Sequence, residues 1–374
     1  MTLTIQPVRS PAALRDFIFL PEKLPNGRPN WIPPIWMDEH VFHSNTKNPA
    51  HSVCRVERWL AIEAGRTIGR IMGIIHDEYN ATHGEKTARF FGLECINRQD
   101  VVHKLLAAAE KWAIDQGMEK LIGPFGFSDK DPEGLQVDGF ENLPVIATAT
   151  NASYLPTLVE KENYTKLTDC VVYQISVPKK TPVIYERIAK RIHQQLNVRV
   201  INFTRRKELK PFVIPVFELI NATYKDLLGF VPLSMAEMKK LKSQYLSILQ
   251  PKFIKVVVDL NNRVIGFVIA VPDFSLGLQR SNGRMFPFGF LKVLHSMKRT
   301  KQLDILLGAV HPDYQGRGLT TLLGMELLRD VREAGFEYMD SHLILETNFK
   351  MRGEMERIGG KVYKRYRIYQ KPLR

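Results

Sequence analysis

LDILLGAVHPDYQGRGLTTLLGMELL, residues 303–328, decides how the rest of the chain is read. Its first eight residues are a nearly continuous apolar run, the pattern of a strand covered on both faces, and Pro312 stops it. Gly316 and Gly318 follow within a short turn, and over 318–334 apolar residues recur at helical spacing until Gly335. A strand, a glycine-rich turn and a helix in immediate succession present unpaired N–H groups and the positive end of a helix dipole to an anion. A pyrophosphate suits such a seat. Spacing excludes two common phosphate motifs. Gly359-Gly360-Lys361 lacks the upstream glycine and the following Ser or Thr of a Walker loop, and Gly316-Arg317-Gly318-Leu319-Thr320-Thr321 lacks the third glycine of a dinucleotide fingerprint.

Working outward, the C-terminal flank reads as a strand at 338–346, a helix at 349–358 and a last strand at 361–370. On the N-terminal flank, 198–203 reads as a strand, 207–228 and 234–249 as helices, and 253–260 with 263–271 as a hairpin turning at Asn261-Asn262. The first half has a similar order. Strands are expected at 55–63, 67–76 and 88–96, with a polar loop at 80–86, then a helix at 100–116 closed by Gly117. A strand at 120–124, a polar excursion at 126–140, a helix at 153–162 and a closing strand at 166–177 complete it. The boundary lies at VPKKTP, 177–182, where prolines and lysines interrupt the pattern. Two copies of one α/β unit, 1–178 and 179–374, are the simplest account, and at roughly 100–200 residues per domain the length of 374 fits two.

Hydrophobic residues make up 44% and charged residues 25%, which excludes wholesale disorder and collagen-like repeats. Cys54, Cys95 and Cys170 are odd in number and contain no CxxC pair, so neither a disulfide framework nor a thiolate zinc site is expected, and no metal is assigned. The opening MTLTIQPVRSPAALRDFIFL has no continuous apolar segment, and no stretch reaches about 18 apolar residues, so a cytoplasmic protein is expected. Net charge is +14, unevenly spread: residues 1–180 hold 20 Lys and Arg against 22 Asp and Glu, the remaining 194 hold 33 against 17. A second half at +16 attracts polyanions, whether nucleic acid, an anionic membrane face or a phosphate-bearing carrier. No zinc finger or RNA-recognition signature accompanies it, so nucleic acid is the least favoured partner. The absence of HExxH, His-x4-Asp and Gly-x-Ser-x-Gly strings argues against a zinc protease, a His/Asp glycerolipid acyltransferase and an α/β-hydrolase.

Val310-His311-Pro312 followed by Gln315-Gly316-Arg317-Gly318-Leu319-Thr320 resembles the acyl-CoA motif of the GCN5-related N-acetyltransferase (GNAT) family, Gln/Arg-x-x-Gly-x-Gly/Ala after a strand ending in Val-x-Pro. Downstream, Glu346-Thr347-Asn348 stands where the family has its post-strand asparagine, and Met355 to Gly359 resembles its Tyr-x-x-x-Gly helix end. The likeness spans about residues 198–371. Two positions depart from the pattern: Thr320 replaces a small residue, and Met355 replaces the tyrosine that in many members protonates the departing thiolate. The first half resembles a degenerate copy. At its junction, FFGLECINRQDVVHKLLAAAEKW (90–112), Asn97-Arg98-Gln99-Asp100 replaces the glycine-rich turn, and Asp100 makes a good N-cap but a poor neighbour for phosphate. The alternative is that 1–178 is a different α/β domain.

The resemblance implies two tandem acyl-CoA N-acyltransferase-like domains, each a mostly antiparallel mixed sheet flanked by helices, with one working acyl-CoA site. It implies an acyl-CoA donor, acetyl or longer, whose pantetheine arm pairs near Ala309 and Val310. Its pyrophosphate is held by Gln315, Gly316, Arg317, Gly318, Leu319 and Thr320, with Asn348 on the pantetheine side. The acceptor is a primary amine, which must lose a proton before attacking the thioester, while backbone N–H groups hold the oxyanion. Glu346, at a strand end beside the cleft, is the first candidate for the base; its other employment is helix capping or a lysine pair. Tyr363 and Tyr366 are the candidate acids in place of Met355, and otherwise strand-face aromatics. His311 and His342 invite attention because histidine as a residue type titrates near pH 7, but they belong to a turn and a strand, which favours structural roles.

Between 271 and 303 about 30 residues replace a connection that usually needs two to six. Within RMFPFGFLKVLHSMKRTKQ, 284–302, Phe286, Phe288, Phe290, Leu291, Leu294 and Met297 alternate with Lys292, His295, Lys298, Arg299 and Lys301. From Phe288 onward this forms an amphipathic basic helix, which either packs on the domain junction or makes peripheral contact with an anionic membrane and receives a lipid chain. The expected activity is therefore acyl-CoA-dependent N-acyl transfer. Its alternatives are a non-catalytic CoA-ester sensor and a long-chain acyltransferase acting on a lipid amine at a membrane surface.

Overall fold

Two-residue turns and capped helices set the frame of the first half. A computed structural model describes residues 2–24, 28, 30–146, 148, 150–181, 183–225, 227–246 and 249–373. It opens with β1 (Thr4–Pro7), α1 (Pro11–Lys23) and α2 (Trp36–Phe42), a stretch in which the sequence pattern marks no element. The signal for α1 was present: Ser10 accepts from the Ala13 amide at 3.1 Å and Pro11 occupies the first turn, although Pro21 inside the helix obscures its periodicity. β2 (Cys54–Glu63) and β3 (Arg66–His76) join through Ala64 and Gly65, both at positive φ as a tight hairpin turn demands. The expected polar loop at 80–86 is largely helix instead: α3 (Asp77–His83) starts with the His76 side chain accepting from the Tyr79 amide and stops at left-handed Gly84. β4 (Thr87–Cys95), α4 (Gln99–Asp115), β5 (Lys120–Gly123), β6 (Leu135–Asp138), α5 (Leu155–Glu160) and β7 (Thr165–Ser176) follow. α4 buries Val101, Val102, Leu105, Leu106, Ala109 and Ala113 against the sheet.

The second half comprises α6 (Val183–Gln195), β8 (Arg199–Asn202), α7 (Val213–Thr223), α8 (Met235–Tyr245), β9 (Ile254–Val258), β10 (Val264–Pro272), α9 (Ser275–Ser281), α10 (Gly289–Arg299), β11 (Gln302–Val310), α11 (Leu319–Glu333), β12 (Tyr338–Asp340), β13 (Ile344–Leu345), α12 (Phe349–Arg357) and β14 (Lys361–Pro372). The helix expected over 207–228 is confined to Val213–Thr223, after a short 3-10 turn at Arg206–Leu209, and Pro211, which has no N–H to donate, falls between the two. Pro182 of the linker, and Asp226, Ser247 and Ile248 of the expected helices, lie outside the described residues.

All the strands join one mixed sheet, ordered β1-β2-β3-β4-β5-β14-β7-β12-β11-β10-β9-β8, with β13 added to β7 and β6 to β14. The closing strands are exchanged. β14 ends the chain yet pairs with β5, Tyr369 to Pro372 against Gly123 to Lys120, while β7 of the first half pairs with β12 of the second. β7 and β14 then pair with each other along most of their lengths. The linker does separate β7 from α6, but the sheet runs unbroken through both halves.

Candidate acyl-CoA site

β11 and β12 run parallel only through Gln302, Leu303 and Asp304 against Tyr338, Met339 and Asp340. Beyond that pair, residues 305–310 of β11 keep β10 as partner on one side alone. A register shift between Ile269 and Ala270 leaves Leu306 unmatched and bends β11 away. The strand expected at 338–346 is broken for a visible reason: the His342 amide donates to the Asp340 carboxylate at 2.6 Å and His342 takes φ 56°, so the chain turns off and resumes as β13 on β7. The result is a wedge with backbone N–H and C=O groups of β11 along one wall. Ala309 and Val310 lie on that wall.

At the top of the wedge the Gln315 side-chain amide donates to the Val310 carbonyl at 3.2 Å and closes the turn. Gly316 adopts φ 72° with open space where a side chain would stand, and Gly318 adopts φ 90° with Ile192 of α6 2.9 Å from where its Cβ would be. Neither position suits another residue. Leu319 starts α11, Gly318 offers no capping side chain, and the first turn has no acidic residue, so the Leu319 and Thr320 amides are left for an anion. Exposed Arg317 lies over the Tyr314 ring, 5.8 Å from its centroid, beside this seat. Asn348 lines the cavity and caps α12, its side-chain oxygen accepting from the Met351 amide at 3.2 Å. These residues fit a pyrophosphate-bearing carrier: the helix end is bare, the turn is open and exposed Arg317 belongs to the turn.

The proposed proton-handling residues are not brought together. Glu346 accepts from Lys166 at 2.8 Å and from the Asp169 amide at 3.0 Å, the lysine pairing named as its alternative employment, and it does not line the large cavity. Tyr363 donates to the Asp340 carboxylate, and burial followed by that charge pushes its phenol up. Lys364 is fully buried 3.8 Å from Asp340, an ion pair too long for a hydrogen bond, and burial pulls its ammonium down. Asp304 faces the same cluster, its carboxyl pushed up by burial and by Asp273 and Asp340. The last residue pair before the strands part is therefore a buried charged knot that contains Tyr363. Tyr366 is buried, its hydroxyl facing Thr148, whose own hydroxyl donates to Val145 at 2.7 Å. His311 contacts Arg263 and the Asp313 amide, and His342 contacts the Ile146 carbonyl, so both serve the backbone frame. Sequence reading passed over Tyr185 on α6, which lines the cavity within electrostatic reach of Glu354 and Arg357 of α12, its hydroxyl unbonded among the described residues.

The wedge opens into a continuous cavity of about 2370 Å³, more than twice the roughly 1,000 Å³ upper end for drug-sized pockets. It runs beneath α7, past Val216 and Ile220, to Phe290, Val293 and Met297 of α10, and across to Phe91 and Phe127 in the first half. The insertion that carries α9 and α10 is anchored at its base on the first half: Trp36 donates to the Asn282 carbonyl at 2.8 Å, and Arg284 pairs with Glu22 at 2.7 Å. Val293 is buried, but Phe286 and Phe288 stand 71% and 69% exposed, beside exposed Leu291, Leu294, Lys292, Lys298 and Arg299.

Residues 217–359 match the Acetyltransferase (GNAT) family profile. A tandem GNAT protein from the clavulanic acid biosynthesis pathway, solved without acetyl-CoA, superposes over 100% of this chain and 99% of its own with a TM-score of 0.54 at 13% identity. The chain has the fold of a tandem GNAT protein, and its second half carries the match to the family profile. Two curated relatives match almost end to end, each 27% identical. Protein YghO of Escherichia coli (strain K12) covers 96% of this chain and 93% of its own length, and the bacterial ceramide synthase of Caulobacter vibrioides (strain NA1000 / CB15N) covers 99% and 98%. The GNAT match over 217–359 supports acyl transfer as the coarse activity and an acyl-CoA as the class of donor. Among the described residues no helix is long and apolar enough to cross a membrane.

Proposed function

We propose that this protein is an acyl-CoA-dependent N-acyltransferase that joins a long acyl chain to a long-chain primary amine at an anionic membrane surface. The observation that carries the reading is the continuous apolar cavity linking the β11–β12 wedge to the exposed aromatic edge of α10. A pocket for acetyl transfer to a small amine has no need of that volume. The name of the Caulobacter relative supports the same class, since a ceramide is an amide of a long-chain amine.

In this reading the bare end of α11 and Arg317 hold the phosphates, Asn348 and the free edge of β11 orient the thioester arm, and the amine nitrogen attacks the thioester carbonyl as the C–S bond breaks. Tyr363, backed by Asp340 and Lys364, returns a proton to the departing thiolate, the part that Met355 leaves vacant. Glu346 is occupied by Lys166 and the Asp169 amide, so proton acceptance falls elsewhere. Residues 284–302 rest on lipid headgroups through Phe286, Phe288, Leu291 and the surrounding lysines.

Thermal melting with CoA, acetyl-CoA and palmitoyl-CoA at matched concentrations tests the donor. A ligand at 100 times its Kd adds about 2.7 kcal/mol, and palmitoyl-CoA is expected to stabilise far more than acetyl-CoA. Equal shifts would remove the long-chain reading. Met355 keeps a second reading, a CoA-ester sensor, in play: stabilisation by palmitoyl-CoA with no CoA released on adding a long-chain amine would favour it. Phe288→Asp with Leu291→Asp should abolish binding to phosphatidylserine vesicles, and undiminished binding would remove the membrane contact.

A further inference from the structure

The first half repeats the wedge of the second in backbone but not in chemistry. β4 pairs with β5 through Thr87, Ala88 and Arg89, the Phe90 carbonyl accepts from the Phe125 amide just beyond, and the register of β4 with β3 shifts between Arg70 and Met72, so residues 91–95 are splayed as 305–310 are. Phe91, Leu93 and Glu94 line the same continuous cavity as Leu306 and Val310. The following helix is closed to phosphate, because Asp100 stands in its first turn and Arg98 is spent on Asp100 and Glu63. An open, largely apolar wedge without a phosphate seat suits a ligand that carries no phosphate.

Between β5 and β6 the chain brings Asp129, Asp131 and Glu133 to this cavity. Asp129 pairs with Lys130 at 3.0 Å, and Asp131 accepts from the Ser128 amide at 3.2 Å. Among the described residues Glu133 has neither an ion-paired cation nor an N–H donor. It is 9% exposed, and its one hydrogen bond among the described residues comes from the Cys170 thiol at 3.7 Å. Arg89 of β4, the buried cation facing this loop, gives Nη1 to the carbonyls of Gly126 and Phe127, and its Nη2 has no partner among the described residues. The groups facing Glu133 are thus Asp129, Asp131, Cys170 and Arg89, and burial, then Asp129, pushes its carboxyl well above the ordinary range. A carboxylate so placed has no directly paired counter-charge among the described residues, and a bound cation would supply one.

Its position relative to the transfer point follows from the alternation of β7. Cys170 packs with Tyr363, Tyr366, Leu343 and Leu345 on one face, and Val171 and Tyr173 pack with Met351 and Met355 of α12 on the other. Glu133 therefore reaches the sheet on the Tyr363 side, opposite α12.

We propose that the first half is the acceptor site: the ammonium of a long-chain amine seats on Glu133, with Asp131 beside it, and its hydrocarbon lies in the wedge lined by Phe91 and Leu93. The proposal rests on the N-acyltransferase reading and names its acceptor subsite. In the reaction Glu133 takes one ammonium proton, the freed nitrogen forms the C–N bond as the C–S bond breaks, and a second nitrogen proton ends on the thiol. Atoms and charge balance without a further reactant.

Isothermal titration of the full chain with dodecylamine and with dodecanol tests the site. The amine should bind more than tenfold tighter than the alcohol, Glu133→Gln should erase that difference, Glu133→Asp should restore part of it, and Asp131→Asn should weaken the amine less. The palmitoyl-CoA thermal shift should be the same in all variants, which certifies the fold. Equal amine affinity in the wild type and Glu133→Gln, or wild-type binding of alcohol as tight as amine, overturns the proposal. A wild type that prefers the amine through Glu133 yet shows no acyl-CoA shift would instead sink the acyltransferase reading and leave a long-chain amine site standing.

Discussion

The two halves share a backbone plan and differ at one helix end. Both have a parallel pair three residues long, a register shift in the preceding antiparallel pair, and a splayed strand leading to a long helix. In the second half that helix begins Gly316-Arg317-Gly318-Leu319-Thr320, with an open turn and no acid; in the first it begins Arg98-Gln99-Asp100, with carboxylate and guanidinium already paired there. The wedge is thus a property of strand geometry, while phosphate binding depends on a few residues at the helix start. The first is present in both halves and the second in one, which leaves a cleft free for another ligand.

Three experiments can break or sharpen this contrast. The largest effect is expected at the shared centre, where β14 of the second half lies between the strands of the first. Tyr363→Phe should lower kcat about 100-fold while the palmitoyl-CoA shift stays, as loss of a proton donor predicts. An unchanged kcat would remove Tyr363 from the chemistry. Next, Thr320→Asp copies Asp100 to the matching position of α11, and acyl-CoA affinity should drop about tenfold or more through charge repulsion at the dipole's positive end. Full affinity in that variant would mean that the helix end does not hold the phosphates, and the contrast would fail.

The third concerns pH and the first half alone. Burial holds buried His43 down to about 4, so stability present above the ordinary histidine range is lost as pH falls from about 6.5 to 4, because only the unfolded chain takes the proton. The loss is on the order of 3 kcal/mol by linkage. Asp131 works in the opposite sense: burial raises its carboxyl to about 6, so its penalty is present above that value and relieved as pH falls toward 4. His43→Gln should flatten the fall in Tm between pH 6.5 and 4, and Asp131→Asn should steepen it. Identical Tm profiles in all three proteins would show that neither burial shift operates.

The motif at 303–328 was legible because each of its parts obeys a local rule: an apolar run, a proline stop, glycines at positive φ, and a capless helix start. Most strands and the long helices of both halves were legible for the same reason. The exchange of β7 and β14 was not, since strand partners across 200 residues leave no local trace. The break at Asp340-Ser341-His342 was hidden because it rests on a side chain reaching back to an amide. Glu346 illustrates a third limit: its strand-end position was readable, but the Lys166 that occupies it comes from the other half. Glu133 was equally silent, because SDKDPEG, 128–134, reads as a solvated polar loop until packing buries one of its acids.

The exchanged closing strands have a bearing on how the chain can be cut. A nick at Lys179 or Lys180 would leave one fragment ending in β7 and another ending in β14, each supplying a strand the other's sheet requires. Such fragments should travel as one particle through gel filtration and part only in denaturant. Either gene segment made alone should yield an insoluble product that its complement, produced in the same cell, rescues.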